Sequence, residues 1–266
     1  MSDYEMQSHW SAVGDRVAER ADANMLDGDD SPYYRYKAEK FSAQFLPLIP
    51  VDGLSMLDVG CGAGGTLRWM AEQHHPKRLV GCDQAPSMVE LAKRNVPDAE
   101  IVTSDGATLP FDDQEFDVVT TVTVLHHNPD ERRARLLGEI CRVSRDQVLL
   151  FEDTSLTMPV PAKAQGPYQN FYGRPIGWYA GVCSSHAFYL AETQYLHTKA
   201  SLRTFLFLWS YLNRTRKGPT VEGSPFSPLH LAIERRTLSV TRRLDPLIKS
   251  PKGENTMMRF ERLADL

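Results

Sequence analysis

Short apolar runs alternate with amphipathic segments between residues 55 and 153. Strands that alternate with helices form βαβ units around a parallel sheet. The predicted strands are Met56–Val59, Leu79–Cys82, Ile101–Val102, Phe116–Val124 and Gln147–Phe151. The predicted helices are Thr66–Gln73, Pro86–Asn95 and Asp130–Val143. This pattern predicts an α/β fold with a doubly wound, mostly parallel sheet.

The flanking segments differ from this central pattern. Residues 1–50 are predicted to form an N-terminal helical cap, and residues 51–155 the core of the fold. Residues 156–266 are predicted to form a substrate lid and the C-terminal part of the fold. The stretch 158–183 is rich in Pro, Gly and aromatic residues, which indicates an irregular segment over the site.

Three further elements are predicted near the C-terminus. His186–Lys199 is predicted to be a helix. Leu202–Tyr211 is a continuous apolar run, and periodicity alone leaves a sixth strand and a buried helix equally open. Thr256–Phe260 is predicted to be the final strand.

Composition narrows the class of protein without identifying it. The 266 residues are 42% hydrophobic and 24% charged, as in a globular domain. The four cysteines form no C-x-x-C pair, so we expect no metal site and a reducing, cytoplasmic location. The net charge is −4, and no nucleic-acid-binding module is recognisable, so no nucleic-acid partner is expected.

A glycine-rich turn follows the first predicted strand. The segment reads Leu57-Asp58-Val59-Gly60-Cys61-Gly62-Ala63-Gly64-Gly65. Glycines allow positive φ and close approach of a ligand, and this crevice is where open α/β sheets bind ligands. The literal G-x-G-x-x-G spacing equally suggests a dinucleotide site.

Three features favour a nucleoside cofactor other than a dinucleotide. Asp58 lies inside the strand before the glycines, where a carboxylate suits a cationic amino group better than a pyrophosphate. Asp83 ends the second strand and is placed to bind two ribose hydroxyls. A dinucleotide and any other nucleoside cofactor both carry such hydroxyls, so Asp83 fits both. The spacing onward to Asp105 and to Phe116-Asp117-Val118-Val119 is the third feature.

These residues resemble the class I S-adenosylmethionine-dependent methyltransferases, in particular the small-molecule branch with the ubiquinone and menaquinone enzymes. The resemblance covers about residues 54–153. It rests on Leu57-Asp58-Val59-Gly60-Cys61-Gly62, Val80-Gly81-Cys82-Asp83, Leu109-Pro110-Phe111, Phe116-Asp117-Val118-Val119 and Leu125-His126-His127. It implies S-adenosylmethionine as cofactor and a Rossmann-like methyltransferase fold.

The resemblance also implies a role for each site residue. Glycines 60, 62 and 64 would line the methionine and ribose, Asp58 would hold the amino group, and Asp83 the ribose hydroxyls. Asp105 would bind the adenine amino group, and Gln84 stands where the family often has an apolar residue. The cofactor-binding set is Asp58, Gly60, Cys61, Gly62, Gly64, Asp83, Gln84, Asp105, Gly106, Ala107, Thr121 and Leu125.

Candidate catalytic residues follow the fourth and fifth strands. His126 and His127 lie at the predicted mouth of the site, where a histidine can accept a proton near neutral pH. An equal alternative is that they only shape the pocket. Glu152 and Asp153 end the fifth strand, and Asp153 either orients an acceptor, acts as a base or caps a loop.

The predicted helix 228–244 is basic and amphipathic. Leu229, Ile233, Val240, Leu244 and Leu247 form one apolar stripe, with arginines beside it. Such a helix either lies on an anionic membrane surface and meets a lipid, or packs its stripe on the core.

The sequence therefore predicts methyl transfer from S-adenosylmethionine to oxygen, nitrogen or carbon of a small, fairly hydrophobic metabolite. A natural-product intermediate, a quinone precursor or a lipid would fit. Two alternatives remain: an NAD-dependent oxidoreductase, and a non-catalytic S-adenosylmethionine-binding protein. The oligomeric state is not predicted.

Overall fold

The computed structural model describes residues 3–18, 31–154, 173–212, 226–248 and 255–264. Seven strands form one sheet in the order β3-β2-β1-β4-β5-β7-β6. They are β1 Ser55–Val59, β2 Arg78–Asp83, β3 Glu100–Thr103, β4 Phe116–Val122, β5 Ser144–Asp153, β6 Phe188–Tyr195 and β7 Asn255–Arg262. The helices are α1 Asp3–Ala18, α2 Pro32–Gln44, α3 Gly65–Gln73, α4 Pro86–Asn95, α5 Asp130–Val143, α6 Ile176–Ser184, α7 Lys199–Leu212 and α8 Pro228–Leu244.

The strand pairing confirms the predicted doubly wound, mostly parallel sheet. Strands β1 to β5 pair in parallel, and β7 runs antiparallel between β5 and β6. The chain order reverses at β1, which lies between β2 and β4. The carboxyl ends of β1 and β4 therefore border the crevice in which such sheets bind ligands.

Both faces of the sheet are covered, which explains why the central strands are apolar throughout. On one face, α5 and α6 cover Leu57, Val119 and Leu150. On the other face, the packed cluster includes Met56, Val118 and Leu149, together with residues of α2, α3 and α4. Alternate residues of β1 and β4 thus belong to opposite cores, as a period of two requires.

The predicted helix at His186–Lys199 is wrong, because residues Phe188–Tyr195 form the edge strand β6. Phe188 is buried and Tyr189 exposed, as strand alternation requires. The backbone pairs with β7, which lies more than sixty residues further along the chain. The local periodicity of the sequence does not reveal a pairing between residues this far apart.

Two other predictions need correction. The strand predicted over Phe116–Val124 ends at Val122, because Thr123 has a φ of 57° and its N–H donates to the Phe151 carbonyl. The irregular segment predicted over 158–183 contains helix α6, in which Tyr179 and Cys183 are buried. Residues 158–172 of that segment lie outside the described part of the chain.

The structure resolves what periodicity left open near the C-terminus. Leu202–Tyr211 lies in helix α7, and Thr256–Phe260 lies in strand β7, as predicted. No helix in the described ranges is long and apolar enough to cross a membrane.

The N-terminal helices pack on the core in different ways. Helix α1 places Val13 and Val17 against Ala85 and Leu91 around α4. Helix α2 packs against the sheet, where Phe41 meets Phe151 edge-on at 5.0 Å between ring centroids. The division into parts at residues 50 and 155 remains a prediction, although β6 and β7 join the same sheet as the core strands.

A buried aspartate joins the C-terminal helices. Asp245 accepts hydrogen bonds from the backbone N–H groups of Ala200 and Ser201 at 2.8 and 3.1 Å, and from the Ser201 hydroxyl at 2.6 Å. The Tyr36 hydroxyl of α2 donates to the same carboxyl at 3.0 Å. One side chain therefore caps α7 and connects it to α2 and α8.

We predict that Asp245→Ala lowers the free energy of unfolding by at least about 2 kcal/mol, because several buried donors lose a charged acceptor. The measurement is urea unfolding followed by circular dichroism. Asp98→Ala is the control, since Asp98 is exposed and should change stability by less than about 0.5 kcal/mol. Equal midpoints for the two variants would contradict the bridging role of Asp245.

Candidate active site

The glycine turn connects β1 to α3 at the switch point of the sheet. Gly60, Gly62 and Gly64 have φ values of 73°, 54° and 87°. The N–H groups of Gly60 and Cys61 donate to the Cys82 carbonyl at 2.8 and 3.0 Å, which fixes the turn to the end of β2. Residues with side chains rarely adopt positive φ, so this path requires glycine.

The three glycines face different surroundings. A Cβ on Gly60 would lie 2.3 Å from Val124, and one on Gly64 would lie 3.0 Å from Val96. These two glycines therefore allow close packing of the protein against itself. A Cβ on Gly62 would meet nothing within 4 Å, so Gly62 faces open space. The open side of the turn is thus at Gly62.

Asp58 lies beneath the turn and is almost fully buried. Thr120 on β4 donates its hydroxyl to Asp58 Oδ1 at 2.8 Å. Burial raises the pKa of Asp58 to about 7, and the nearby Asp83 carboxyl raises it further, while the Thr120 hydrogen bond acts in the opposite direction. A buried carboxyl with this pKa is suited to bind a cationic group.

Asp83 lies at the end of β2, facing the same turn. Its Oδ2 accepts the Gly62 N–H at 3.0 Å, and its Oδ1 accepts the Ala85 N–H at 2.8 Å. Burial raises the pKa of Asp83, and these backbone donors oppose the shift. Each carboxylate oxygen has a second lone pair, which leaves acceptor capacity for two hydroxyl groups.

The loops after β2 and β3 form the next part of the site. Asp105 Oδ1 accepts the N–H groups of Ala107 and Thr108 at 2.8 and 2.9 Å, which shapes the loop around Gly106. Arg132 from α5 donates to Gln84 Oε1 at 3.3 Å and to the Asp105 carbonyl. Arg132 therefore bridges the two loops, a contact that sequence reasoning missed.

Glu152 organises the loop after β4. Its carboxylate is fully buried and accepts the N–H groups of Val124, Leu125 and His126 at 3.0, 2.8 and 3.1 Å. His126 Nδ1 lies 2.6 Å from Glu152 Oε2. The pair is therefore one hydrogen-bonded unit at the carboxyl edge of the sheet.

Burial and nearby charges keep the histidine of this pair neutral. Burial lowers the pKa of His126 to about 3, with further lowering from the positive charges of Lys37 and Arg133. Burial also raises the pKa of Glu152 to about 7, against the effect of the backbone donors. Both shifts have the same cause, the low polarity of the surroundings.

His127 packs against the N-terminal cap. The ring of Trp10 on α1 meets His127 edge-on at 4.7 Å between centroids. Gln7 Nε2 of the same helix donates to the Gln84 carbonyl at 3.1 Å. Helix α1 therefore contacts both the loop of Gln84 and the loop of His127.

The remaining predicted residues occupy supporting positions. Cys61 is buried, burial raises the pKa of its thiol, and its Sγ would lie 2.9 Å from a Cβ on Gly81. Thr121 is buried near the end of β4, and its hydroxyl has no hydrogen-bond partner among the residues that the structure describes. Asp153 is partly buried and pairs with Asn255 of β7. It follows Glu152 at the carboxyl end of β5. The described residues contain no cluster suited to a metal ion.

The site thus brings together most of the predicted residues in one region. Asp58, Asp83 and the open face of Gly62 surround the glycine turn, and the histidines lie across β4 from it. Residues 56–147 match the family model described as a methyltransferase domain. This part of the chain is therefore similar to methyltransferase domains.

Relatives of the methyltransferase domain act in different settings. The chain is 35% identical over 99 residues to phthiotriol/phenolphthiotriol dimycocerosates methyltransferase of Mycobacterium tuberculosis, covering 36% of each protein. It is 36% identical over 92 residues to "Probable tRNA methyltransferase 9B" of Mus musculus, covering 34% of this chain and 19% of that protein. The match therefore spans about a third or less of the length of these relatives.

Solved structures share the fold over nearly the whole chain. The [4+2]-cyclase SpnF covers 100% of this chain and 98% of its own, with a TM-score of 0.67 and 15% identity. Magnesium protoporphyrin IX methyltransferase of Synechocystis, solved with bound S-adenosylhomocysteine, covers 98% and 100%, with a TM-score of 0.62 and 13% identity. At this identity the likeness shows the fold alone.

We predict that the buried Asp58 makes stability depend on pH. Its folded pKa of about 7 lies above the ordinary value of 3.8, so the folded state holds a proton that the unfolded state releases. Asp58 should therefore lower the free energy of unfolding by roughly 1.4 kcal/mol per pH unit as pH rises between these two values. Thermal unfolding across this range is the measurement.

The isosteric Asp58→Asn variant provides the comparison, because an amide does not titrate. Its unfolding temperature should fall less than that of the wild type as pH rises from about 4 to 7. Parallel curves for the two proteins would contradict a raised pKa at Asp58.

Proposed function

We propose that the chain transfers a methyl group from S-adenosylmethionine to oxygen, nitrogen or carbon of a small, fairly hydrophobic metabolite. The observation that carries the proposal is the open face of Gly62 between the carboxyls of Asp58 and Asp83, within a methyltransferase domain. When bound, S-adenosylmethionine supplies an electrophilic methyl group on a positively charged sulfur.

The residues of the turn fit this cofactor. Asp58 would bind the amino group, and the second lone pairs of the Asp83 oxygens would accept the ribose hydroxyls. A Cβ at Gly62 would project into space that is otherwise open, so glycine there leaves room for a ligand. The unpartnered Thr121 hydroxyl is a further buried polar atom at this edge.

The loops after β2 and β3 would hold the adenine. Gln84, Asp105, Gly106 and Ala107 lie around the bridge formed by Arg132. Arg132 would keep the two loops at a fixed separation, and so preform the adenine site before the cofactor arrives. Preformed sites lose less conformational entropy on binding.

The His126–Glu152 pair is the proposed proton acceptor. A neutral imidazole that donates Nδ1–H to a carboxylate has Nε2 as its acceptor atom. Burial raises the pKa of Glu152 to about 7, so near neutral pH its carboxyl ionises and can stabilise a proton taken up by the imidazole. His127 and Asp153 would orient the acceptor, and Leu125 would hold the methionine side of the site.

Aromatic residues beside the pair support a hydrophobic acceptor. Trp10 packs on His127, and the buried Arg133 guanidinium lies 5.4 Å from the ring centre of Trp178. The mycobacterial relative is named for a lipid-like substrate, which agrees with this class. The mouse relative is named for tRNA, but this acidic chain offers no comparable reason to propose nucleic acid.

Two alternatives are distinguished by binding and turnover. An NAD-dependent oxidoreductase is not favoured, because the glycine turn belongs to a methyltransferase domain. A non-catalytic protein would bind the cofactor without turnover, and the cyclase of the same fold illustrates that fold does not fix chemistry. A cytoplasmic location is proposed because the four cysteines are free.

We predict that S-adenosylhomocysteine, but not NADH, stabilises the protein against heat. A ligand at 100 times its dissociation constant adds about 2.7 kcal/mol if it binds only the folded state. Gly62→Ala should weaken S-adenosylhomocysteine binding by at least about tenfold in calorimetry, because its Cβ fills the open face.

Gly53→Ala is a matched control for this variant. Gly53 also has positive φ, at 72°, and a Cβ there would likewise meet nothing within 4 Å. Both variants should lose about 1 kcal/mol of stability through backbone strain, but Gly53→Ala should keep full affinity. Stabilisation by NADH alone, or equal affinities for both variants, would refute the assignment of the turn.

We predict that the methyl-transfer rate depends on the His126–Glu152 pair. Tritiated S-adenosylmethionine is incubated with a panel of phenols, quinols and lipids, and label is counted in the organic phase. With an acceptor that carries an acidic proton, His126→Gln should lower kcat by about a hundredfold or more, while S-adenosylhomocysteine affinity stays unchanged. The wild-type rate should rise with pH through about 7.

The outcomes separate the candidate roles. A full rate in His126→Gln, with the same pH profile, would mean that the pair only shapes the pocket. Cofactor binding without label transfer to any acceptor would favour the non-catalytic alternative.

A further inference from the structure

Helix α8 has its apolar stripe on the outside. Leu229, Val240, Leu244 and Leu247 in and just after the helix are 62%, 58%, 42% and 76% exposed. The polar side chains of His230 and Glu234 are buried instead. This arrangement is the reverse of an ordinary amphipathic helix on a protein core, which buries its apolar side.

Hydrogen bonds of the buried side fix the helix in this rotation. Glu234 Oε1 accepts the Ser31 hydroxyl at 2.9 Å and the Tyr33 N–H at 2.7 Å, so it caps the first turn of α2. His230 Nε2 lies 3.1 Å from Glu234 Oε2. Asp245, just beyond the helix, caps α7. Turning the stripe inward would break the contacts of Glu234 with α2 and of Asp245 with α7, whereas the His230–Glu234 contact lies within α8.

The outer side of α8 is also strongly basic. Arg235, Arg236, Arg242 and Arg243 are exposed. At 100° per residue, Arg236 and Arg243 lie on the same side of α8 as Leu229 and Val240. The one acid in Pro228–Leu244 is Glu234, which is buried on the opposite side. Apolar side chains are therefore accompanied by positive charges with no acid of the helix among them.

We propose that this side of α8 binds a membrane surface with anionic headgroups. The apolar stripe would enter the boundary between headgroups and acyl chains, while the arginines meet lipid phosphates. A second copy of the chain fits less well. A symmetric dimer through this face would bring Arg236 and Arg243 of the two copies together without compensating acids of the helix.

The position of α8 connects this surface to the candidate active site. Glu234 holds the first turn of α2 through Ser31 and Tyr33. Lys37, about one turn further along α2, is close enough for its charge to lower the pKa of His126. The inference thus deepens the proposed function, on which it rests: the acceptor would be drawn from the lipid phase.

Vesicle sedimentation tests the proposal with the full chain. The probes are phosphatidylcholine vesicles with and without phosphatidylglycerol, at low salt. Wild type should bind the anionic vesicles more tightly, and Leu247→Glu should weaken that binding by at least about tenfold. Each of Arg236→Gln and Arg243→Gln should weaken it about fivefold, and added salt should also weaken it.

Leu263→Glu is the matched control, because Leu263 is 54% exposed just beyond β7, where its N–H donates to the Ala187 carbonyl beside β6. It should bind vesicles like the wild type. Equal binding of Leu247→Glu and Leu263→Glu, or no preference for anionic vesicles, would overturn the proposal. A dimer in light scattering that Leu247→Glu dissociates, without vesicle binding, would overturn it in favour of self-association.

Calorimetry with S-adenosylhomocysteine in the absence of vesicles separates this inference from the proposed function. All α8 variants should keep wild-type affinity. Vesicle binding by a chain that binds no S-adenosylhomocysteine would leave the surface assignment intact and refute the cofactor. The opposite result, cofactor binding without vesicle binding, would refute the surface alone.

Discussion

The buried carboxylate of Glu152 connects the parts of the candidate site. It accepts three consecutive backbone N–H groups from residues 124–126, so the loop after β4 has one conformation. The loop carries Val124, whose side chain fills the space where a Cβ on Gly60 would lie. The position of the glycine turn therefore depends on a carboxylate two strands away. Removing that acceptor would leave three buried donors without a partner, which is among the costlier changes in a protein interior.

The same burial that makes Glu152 structurally valuable also sets its chemistry. Glu152 and Asp58 each have a pKa raised to about 7, because neither is in contact with water. Asp58 has one hydroxyl donor, whereas Glu152 has three backbone donors and an imidazole. A cation arriving beside Asp58 would favour its ionised form, while a proton arriving at the His126–Glu152 pair would be shared. Two carboxyls with similar pKa values are thus suited to different tasks.

Sequence reasoning recovered the parts of the fold that depend on local pattern. The strands β1 to β5 and the glycine turn follow from short apolar runs and residue types at fixed spacing. The strand β6 was missed because its pairing with β7 is non-local. Periodicity revealed the apolar stripe on α8. Whether the stripe faces the core or the outside depends on the hydrogen bond between Ser31 and Glu234, which lie 203 positions apart. The bridging role of Arg132 was invisible for the same reason, since it requires the relative placement of two loops.

The regions outside the methyltransferase domain hold what is particular to this chain. Residues 56–147 match a domain found in proteins named for a lipid-like substrate and for tRNA, and the same fold occurs in a cyclase. The cofactor site therefore says little about the acceptor. Helix α1 reaches His127 through Trp10, and α2 connects the neighbourhood of His126 to the basic helix α8. These contacts place α1 and α2 beside the histidine loop, outside the residues that match the methyltransferase model, so we expect differences in acceptor to lie in the flanking helices.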